Sequence, residues 1–598
     1  MSSFGASMET SPRPMNTVVD VAILQKLAHK DIVALLQKCQ GDKALVWDRA
    51  LANPMNLILK HSDLKEQGVV RMLSLEQGQI PSTDMPETII FICRPLVHLM
   101  KLVESAIRKE ESARRRKRFH LFFLPRSSTL CVKWLEDQGV ISSLQSVEEL
   151  PIFLFPLDKD VISMEQEYAF KDFKLDVDPT GLYHVAKAIV YLQKTYGVPS
   201  RVFGLGHAAK QVHELIHSVK LESGAFKPQV SGTTIDCLFL IDREVDLLSP
   251  VVTQLTYEGL IDEFYGINNN QVKFPEEKFG EAKTMLLNST ENLYVELRDK
   301  NFSAIGGVLR SKTAEIQEIF RQKERGEMTM GEMKRLVQQL PAVNALKQSL
   351  SDHTSVAELI KAKTETEEFL SSLECEQELL SGIDTEKLNT HIEYLCGKKA
   401  PLNTVLRLLV IQSITSGGLK VKIMQHYERL LIQNYGFEHF LTIQKLYQLG
   451  LLRSQSSAQA TGSRYSVLKR ALQLFRNDVS EIKPDDFTYV HSIYAPLSIR
   501  LIQHRLRPPL WATLKDSIQT LLQKPVIDEE SEIPPIGGNL SSAKRQPKFI
   551  IVVFIGGCTF AEISALRFLA QQDDEREFLV VTSKIINGNS FLNSLLEP

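Results

Sequence analysis

Strand-length apolar runs recur through the first 250 residues, vanish from the middle of the chain, and return near its C-terminal end. The first series is ALVWD (44–48), VVRMLSL (69–75), TIIFICR (88–94), FHLFFLP (119–125) and LPIFLFPLD (150–158). Amphipathic stretches such as RPLVHLMKLVESAIRKE separate these runs, and a helical stripe (Val21, Leu24, Leu27, Ile32, Leu35, Leu36) precedes them. Continuous apolar runs alternating with helices predict a parallel sheet covered on both faces, because a strand buried on both sides has no polar face to alternate with. A second passage, from 158 to 248, holds the helices TGLYHVAKAIVYLQKTYG and HAAKQVHELIHSVK and the strands SRVFGLG and TIDCLFLIDRE. From 276 to 450 almost everything has helix period and is rich in Leu, Glu, Lys and Gln. Strands then return in PKFIIVVFIGG (547–557) and EFLVVTS (577–583), around the helix TFAEISALRFLAQQ.

A lone strand–helix–strand unit cannot close its own core. The C-terminal strands are therefore expected to complete the sheet begun at 158–248, with the helical region as a large insertion. This predicts an α/β fold with an all-helical insertion: a tail at 1–18, one α/β domain at 19–157, and a second α/β domain split between 158–248 and 486–598. The helical domain lies between, at 249–485. The small polar stretch 451–465 is expected to be a loop.

Charge excludes some partners. Lys and Arg number 70 against 72 Asp and Glu, so no net field draws nucleic acid or an anionic bilayer. Seven cysteines without a CxxC pair predict reduced thiols in a core. The longest apolar run falls well short of the ~20 residues of a spanning helix. The expectation is a cytoplasmic protein that meets membranes only through its partners.

The segment LIDREVDLLSPVVTQLTYEGLIDEFYGI (240–267) is the most distinctive. A strand ends in Asp242-Arg243; Asp246, Pro250, Thr256, Tyr257 and Leu260 follow. This pattern, with YVHSIYAPLSIRLIQ (489–503) and VVFIGGCTFAEISALRFL (552–569, containing Gly556 and Gly557), resembles the SM family (Sec/Munc type) of SNARE regulators. KALVWD, MLSLEQGQIP and PLDKDVISME bring it nearest to that family's class C vacuolar-sorting branch. The resemblance implies a three-domain arch and no catalysis or cofactor. It also implies syntaxin-type SNAREs and assembled SNARE bundles as partners. On the vacuolar branch it further implies a helical-solenoid subunit of HOPS or CORVET tethers, at late endosomes and lysosomes. The central motif itself reads as scaffold: Asp246 can bond turn amides, Pro250 ends continuation, and Thr256 can cap the next helix.

The resemblance also directs attention to an arm in 249–362, at MTMGEMKRLVQQLPAVNALKQSLSDHTSVAELI (328–360). Two amphipathic helices are expected to meet near Pro341. Met333, Lys334, Leu336, Val337, Leu340, Pro341, Leu346 and Leu350 are the candidate SNARE-binding residues. Tyr427, Leu431, Tyr435 and Phe437, around the Gly436 turn, are the candidates for docking the tether subunit.

Other motifs support rival chemistry. His213-Glu-Leu-Ile-His217 matches the H-E-x-x-H of zinc peptidases, but no third ligand follows it in sequence, and Val212, Leu215, Ile216 and Val219 form an ordinary buried stripe. No metal site is expected. The glycines of VFGLGHAAK and FIGGCTFAE stand between strand and helix, where a nucleotide phosphate can bind, yet neither matches a dinucleotide or P-loop pattern. A doubly wound nucleotide-binding enzyme and, behind it, a zinc peptidase remain the alternatives. RKEESARRRKRFH (108–120) reads as a solvated charge run.

Overall fold

The computed structural model describes residues 20–76, 85–222, 235–324, 330–382, 386–455, 464–530, 548–573 and 575–596. The tail at 1–18 and most of 451–465 lie outside them.

Two sheets organise the chain. The first contains Val69–Ser74, Lys43–Trp47, Thr88–Cys93, Arg118–Phe123 and Leu144–Glu149, in that spatial order and all parallel. Its central strand Thr88–Cys93 is buried at every residue, as expected between two helical layers. The second sheet runs Val526–Glu530, Arg201–Leu205, Ile235–Asp242, Lys548–Ile555, Arg576–Thr582, Val161–Ser163, Phe155–Pro156. Lys548–Ile555 pairs with Ile235–Asp242 on one side and with Arg576–Thr582 on the other, so segments more than 300 residues apart form the centre of one parallel sheet. Both edge strands are antiparallel to their neighbours.

Helices fill the interval between the two halves of this sheet. Leu402–Thr415 is buried around nearly its whole circumference, and with Glu386–Gly397, Val421–Tyr435 and His439–Gln448 it joins the sheet's apolar cluster. A second cluster holds Tyr257–Tyr265, Asn292–Leu297, Phe302–Glu324 and the C-terminal half of Met330–Thr364.

Four local expectations change. Leu144–Glu149 and Val526–Glu530 are strands with no residue fully buried, so neither shows as an apolar run; each is a sheet edge. Of 150–158 only Phe155–Pro156 is strand. The stretch read as helical contains half of a hairpin, Gln271–Phe274 with Lys283–Leu286. Finally, no helix boundary falls at Pro341: Met330–Thr364 is one helix of 35 residues. An interior proline costs about 3 kcal/mol; burial of Leu350, Val356, Leu359 and Ile360 further along anchors the helix against that cost.

Candidate functional site

The three motif blocks converge on one buried network. The Arg243 side chain has no exposure, and its two terminal nitrogens donate to the two carboxylate oxygens of Glu562 at 2.8 and 3.0 Å. Its Nε donates to the Asp246 carbonyl at 2.8 Å, and Nη1 reaches the Gly557 carbonyl at 3.3 Å. Asp246 accepts from the Ser249 amide and hydroxyl and from the Ser498 amide, at 3.0, 2.6 and 3.0 Å. The Ser498 hydroxyl donates to Glu562. Burial opposes the charge on Arg243, but Glu562 and Asp246 more than offset it and hold the guanidinium protonated. Gly556 and Gly557 have φ of 97° and 113°, conformations that favour glycine, and a Cβ on either would press on Phe170, Arg243 or Ile586. Pro250 is buried in the following turn, Thr256 caps Tyr257–Tyr265 through the Gly259 amide, and the Tyr257 hydroxyl meets His353 Nδ1 at 2.9 Å. Every polar group in this network serves another part of the same chain.

The phosphate-like turns are filled from within. At the start of His207–Glu222, Asp242 accepts from the Ala208 amide at 2.8 Å, the position a phosphate oxygen would take. Gly206 (φ 101°) lies so close that a Cβ would sit 2.3 Å from Asp242 Cβ. At Phe560–Gln572, Thr559 and Glu562 form a reciprocal capping box, and Gln254 accepts from the Ala561 amide at 2.9 Å. The nucleotide alternative thereby loses both its candidate sites. Burial likewise pushes the thiols up, Cys237 and Cys375 to about 12, so neither is a nucleophile at neutral pH.

The expected arm, 328–360, falls largely on the helix Met330–Thr364, which packs beside Phe302–Glu324. Leu350, Val356, Leu359 and Ile360 are buried beneath it, and His353 links Tyr257 to Glu291, its Nε2 2.9 Å from the Glu291 carboxylate. Leu350 is therefore an anchor, and Leu346 is partly buried against the same cluster. Pro341, Asn344, Ala345, Lys347 and Gln348 are exposed. Met333, Lys334, Leu336, Val337 and Leu340 lie on the helical backbone, and their side chains fall outside the described residues. The root of the arm is tied to the split sheet by Arg567, which bonds Asp160 at 2.7 and 3.1 Å, Asp299 at 3.1 Å and Glu258 at 3.3 Å.

The four residues around Gly436 divide between core and surface. Tyr427 is 1% exposed, with its hydroxyl on Asn389 at 2.7 Å, and Leu431 is equally buried; Met424, Tyr427 and Leu431 form that helix's inner stripe. Their burial removes both from direct contact with a partner. Tyr435 is half-buried and donates to the Ala400 carbonyl at 2.6 Å. Phe437 alone among the four is an open face, 75% exposed, stacked on Phe440 with ring centroids 6.1 Å apart. Phe440 and Leu441 (43% and 66% exposed) complete an apolar patch, and sequence reasoning passed over both. Their i+3 and i+4 spacing from Phe437 was the available signal.

The basic run is largely engaged: Arg115 pairs with buried Glu110, Lys117 donates to the carbonyls of Met85 and Pro86, and Arg118 pairs with Glu87. His213 and His217 lie one turn apart on His207–Glu222. The third side chain absent from the local sequence stands beside them in space: Glu529, with Oε2 3.3 Å from His213 Nε2.

Comparison with known proteins places the whole architecture. The Sec1 family profile matches residues 43–594. The chain is 42% identical over 597 residues to vacuolar protein sorting-associated protein 33A of Rattus norvegicus, covering 97% of this chain and 98% of that protein. It is 34% identical over 604 residues to the vacuolar protein-sorting-associated protein 33 homolog of Arabidopsis thaliana, covering 99% and 100%. Its fold matches a chain of the Unc18–syntaxin 1 complex from Monosiga brevicollis with a TM-score of 0.60 at 15% identity, over 96% of this chain and 100% of that one.

Proposed function

The chain belongs to the Sec1 family, and on that premise we propose that its helix pair 302–324 and 330–364 grips SNARE helices and promotes their assembly for membrane fusion. SNARE motifs are heptad-patterned, and forming their first turns together is the unfavourable step. A rooted helical surface that holds a syntaxin-type helix, or a partly assembled bundle, in register lowers that nucleation cost. The observation that carries this reading is the contrast along one helix. Its C-terminal half is locked by Leu350, Val356, Leu359, Ile360 and the Tyr257–His353–Glu291 chain, while Pro341, Asn344 and Ala345 are exposed to solvent. Met333, Lys334, Leu336, Val337, Leu340 and Pro341 are the proposed contact residues, with Leu346 at the edge of the buried cluster.

Phe437, Phe440 and Leu441, flanked by Tyr435, form a second contact, for a helical-solenoid subunit of a HOPS- or CORVET-type tether. Exposed aromatic anchors beside a helix end suit such docking. The protein thus acts at late endosomes, lysosomes or vacuoles and reaches those membranes through its partners; among the described residues no helix is long and apolar enough to cross a bilayer.

The test uses the full chain. Met333→Asp with Val337→Asp is expected to weaken binding to an immobilised SNARE bundle by at least about tenfold, roughly 1.4 kcal/mol, with Tm unchanged. Phe437→Asp is expected to abolish capture of the solenoid subunit and to leave SNARE binding intact. Undiminished SNARE binding by the first variant overturns the arm assignment.

A further inference from the structure

The fold brings together a ligand set that sequence keeps 312 residues apart. We propose that His213, His217 and Glu529 form a three-ligand site for a divalent transition-metal ion of the zinc class, which staples the sheet's antiparallel edge strand to the helix lying across it.

Each side chain is placed by an ordinary rule. In His207–Glu222 the buried stripe Ala208, Ala209, Val212, Ile216 and Val219 packs on the sheet. His213 and His217 each follow a stripe residue by one position and therefore share the flank of the helix, one turn apart. On the edge strand Val526–Glu530, side chains alternate between faces. Asp528 turns to one side, where Arg505, Trp511 and Lys515 donate to it at 2.8, 3.2 and 3.1 Å. Ile527 and Glu529 turn to the other. Ile527 lies over Gly204, where a Cβ would come within 2.8 Å of its Cδ1, so the missing side chain lets the edge strand close on its neighbour. Glu529, two residues on, then reaches the helix flank.

The geometry suits a metal. His213 Nε2 and Glu529 Oε2 are 3.3 Å apart, and the two imidazole rings lie 4.8 Å apart, nearly perpendicular. All three donor atoms lie within 4.8 Å of one another. Tetrahedral zinc with bonds of about 2.0–2.1 Å needs donors roughly 3.3 Å apart. One pair already has that spacing, and the widest closes by roughly 1.5 Å through rotation of the exposed His217 and Glu529 side chains. The site asks for neutral imidazole. Two imidazoles and one carboxylate are a borderline donor set, which favours zinc over calcium or magnesium.

The arrangement clamps and does not hydrolyse. Glu214, which would activate water in a zinc peptidase, is directed back along the helix toward Lys210, 3.9 Å away. What the ion would join is the outermost strand of the sheet to the helix, on the face opposite the bonds that Arg505, Trp511 and Lys515 make to Asp528.

The test strips the full-length protein with a chelator and titrates it with Zn²⁺ against a chromophoric competitor, with amide hydrogen exchange followed over 526–530. The wild type is expected to bind one zinc per chain at micromolar concentration or tighter, and to slow exchange in that strand. His213→Asn with His217→Asn, and separately Glu529→Gln, are expected to lose at least about tenfold in affinity and the zinc-dependent protection, with the metal-free Tm unchanged. The proposal is overturned if the wild type takes up zinc only at millimolar concentration, if the variants bind it as the wild type does, or if zinc leaves exchange at 526–530 unaltered.

Discussion

Glu562→Gln preserves the shape of the buried network and deletes its main counter-charge. Arg243 and Glu562 both have fully buried side chains, joined by two hydrogen bonds. After the substitution the nearest carboxylate to the guanidinium, among the described residues, is Asp246 at 3.7 Å, already engaged by Ser249 and the Ser498 amide. Stranding one charge of such a pair costs about 3–5 kcal/mol. At 2–4 °C per kcal/mol for a cooperative unit of 150–250 residues, the split sheet should melt roughly 6–20 °C lower. Arg243→Met strands the opposite charge, leaving the Glu562 carboxylate with the Ser498 hydroxyl and the Thr559 amide and hydroxyl as donors, and should cost a similar amount. Since most of each penalty is a stranded charge and the double variant strands neither, it is expected to cost less than either single one, and far less than the sum. Urea midpoints and thermal scans of the four proteins measure this cycle. Single variants costing under about 1 kcal/mol, or a strictly additive double variant, would refute the view that the motif's charges are there to hold each other.

Gly206→Ala should destabilise the sheet by more than about 3 kcal/mol, because the new Cβ would meet Asp242 at 2.3 Å in a left-handed conformation; a wild-type Tm would count against the close approach. Burial raises Asp262 to about 7, despite hydrogen bonds from the Ile267 amide and Asn587 that favour the ion. The folded state thus binds this proton more tightly than the unfolded one. Its contribution, at most about 4 kcal/mol from three pH units at 1.36 each, is full below pH 4 and is lost as pH rises to 7. Asp262→Asn should flatten the Tm-against-pH curve between pH 4 and 7; an unchanged slope would show that Asp262 does not titrate there.

What the sequence disclosed follows from how each element is buried. Thr88–Cys93, Ile235–Asp242 and Lys548–Ile555 are central strands, apolar on both faces, and each stands out as a continuous run. Leu144–Glu149 and Val526–Glu530 meet solvent and polar neighbours, so their composition is that of a loop. The same reasoning explains the site. Tyr427, in the middle of Val421–Tyr435, and Phe437, just past its end, are both aromatic, yet one is a core residue and the other a surface. Tyr427 continues the Met424–Leu431 stripe that packs on Glu386–Gly397 and Leu402–Thr415, whereas Phe437 lies past the helix end, where no stripe marks a side. Glu529 was invisible as a neighbour of His213 because strand pairing, not sequence distance, joins them.

The residues that made the chain recognisable and those proposed to do its work are therefore different sets, and physics gives the reason. Asp242, Arg243, Asp246, Ser498 and Glu562 bond almost wholly to one another and to nearby backbone. Replacing one member of a buried charge pair strands the other, so the residues of such a cluster constrain one another's identity. An exposed pair such as Phe437 and Phe440 has no such constraint, since replacing it leaves no buried group unsatisfied. It follows that the motif can identify the architecture without specifying a partner, and that partner choice must lie on surfaces where single substitutions leave Tm unchanged and alter only what is bound.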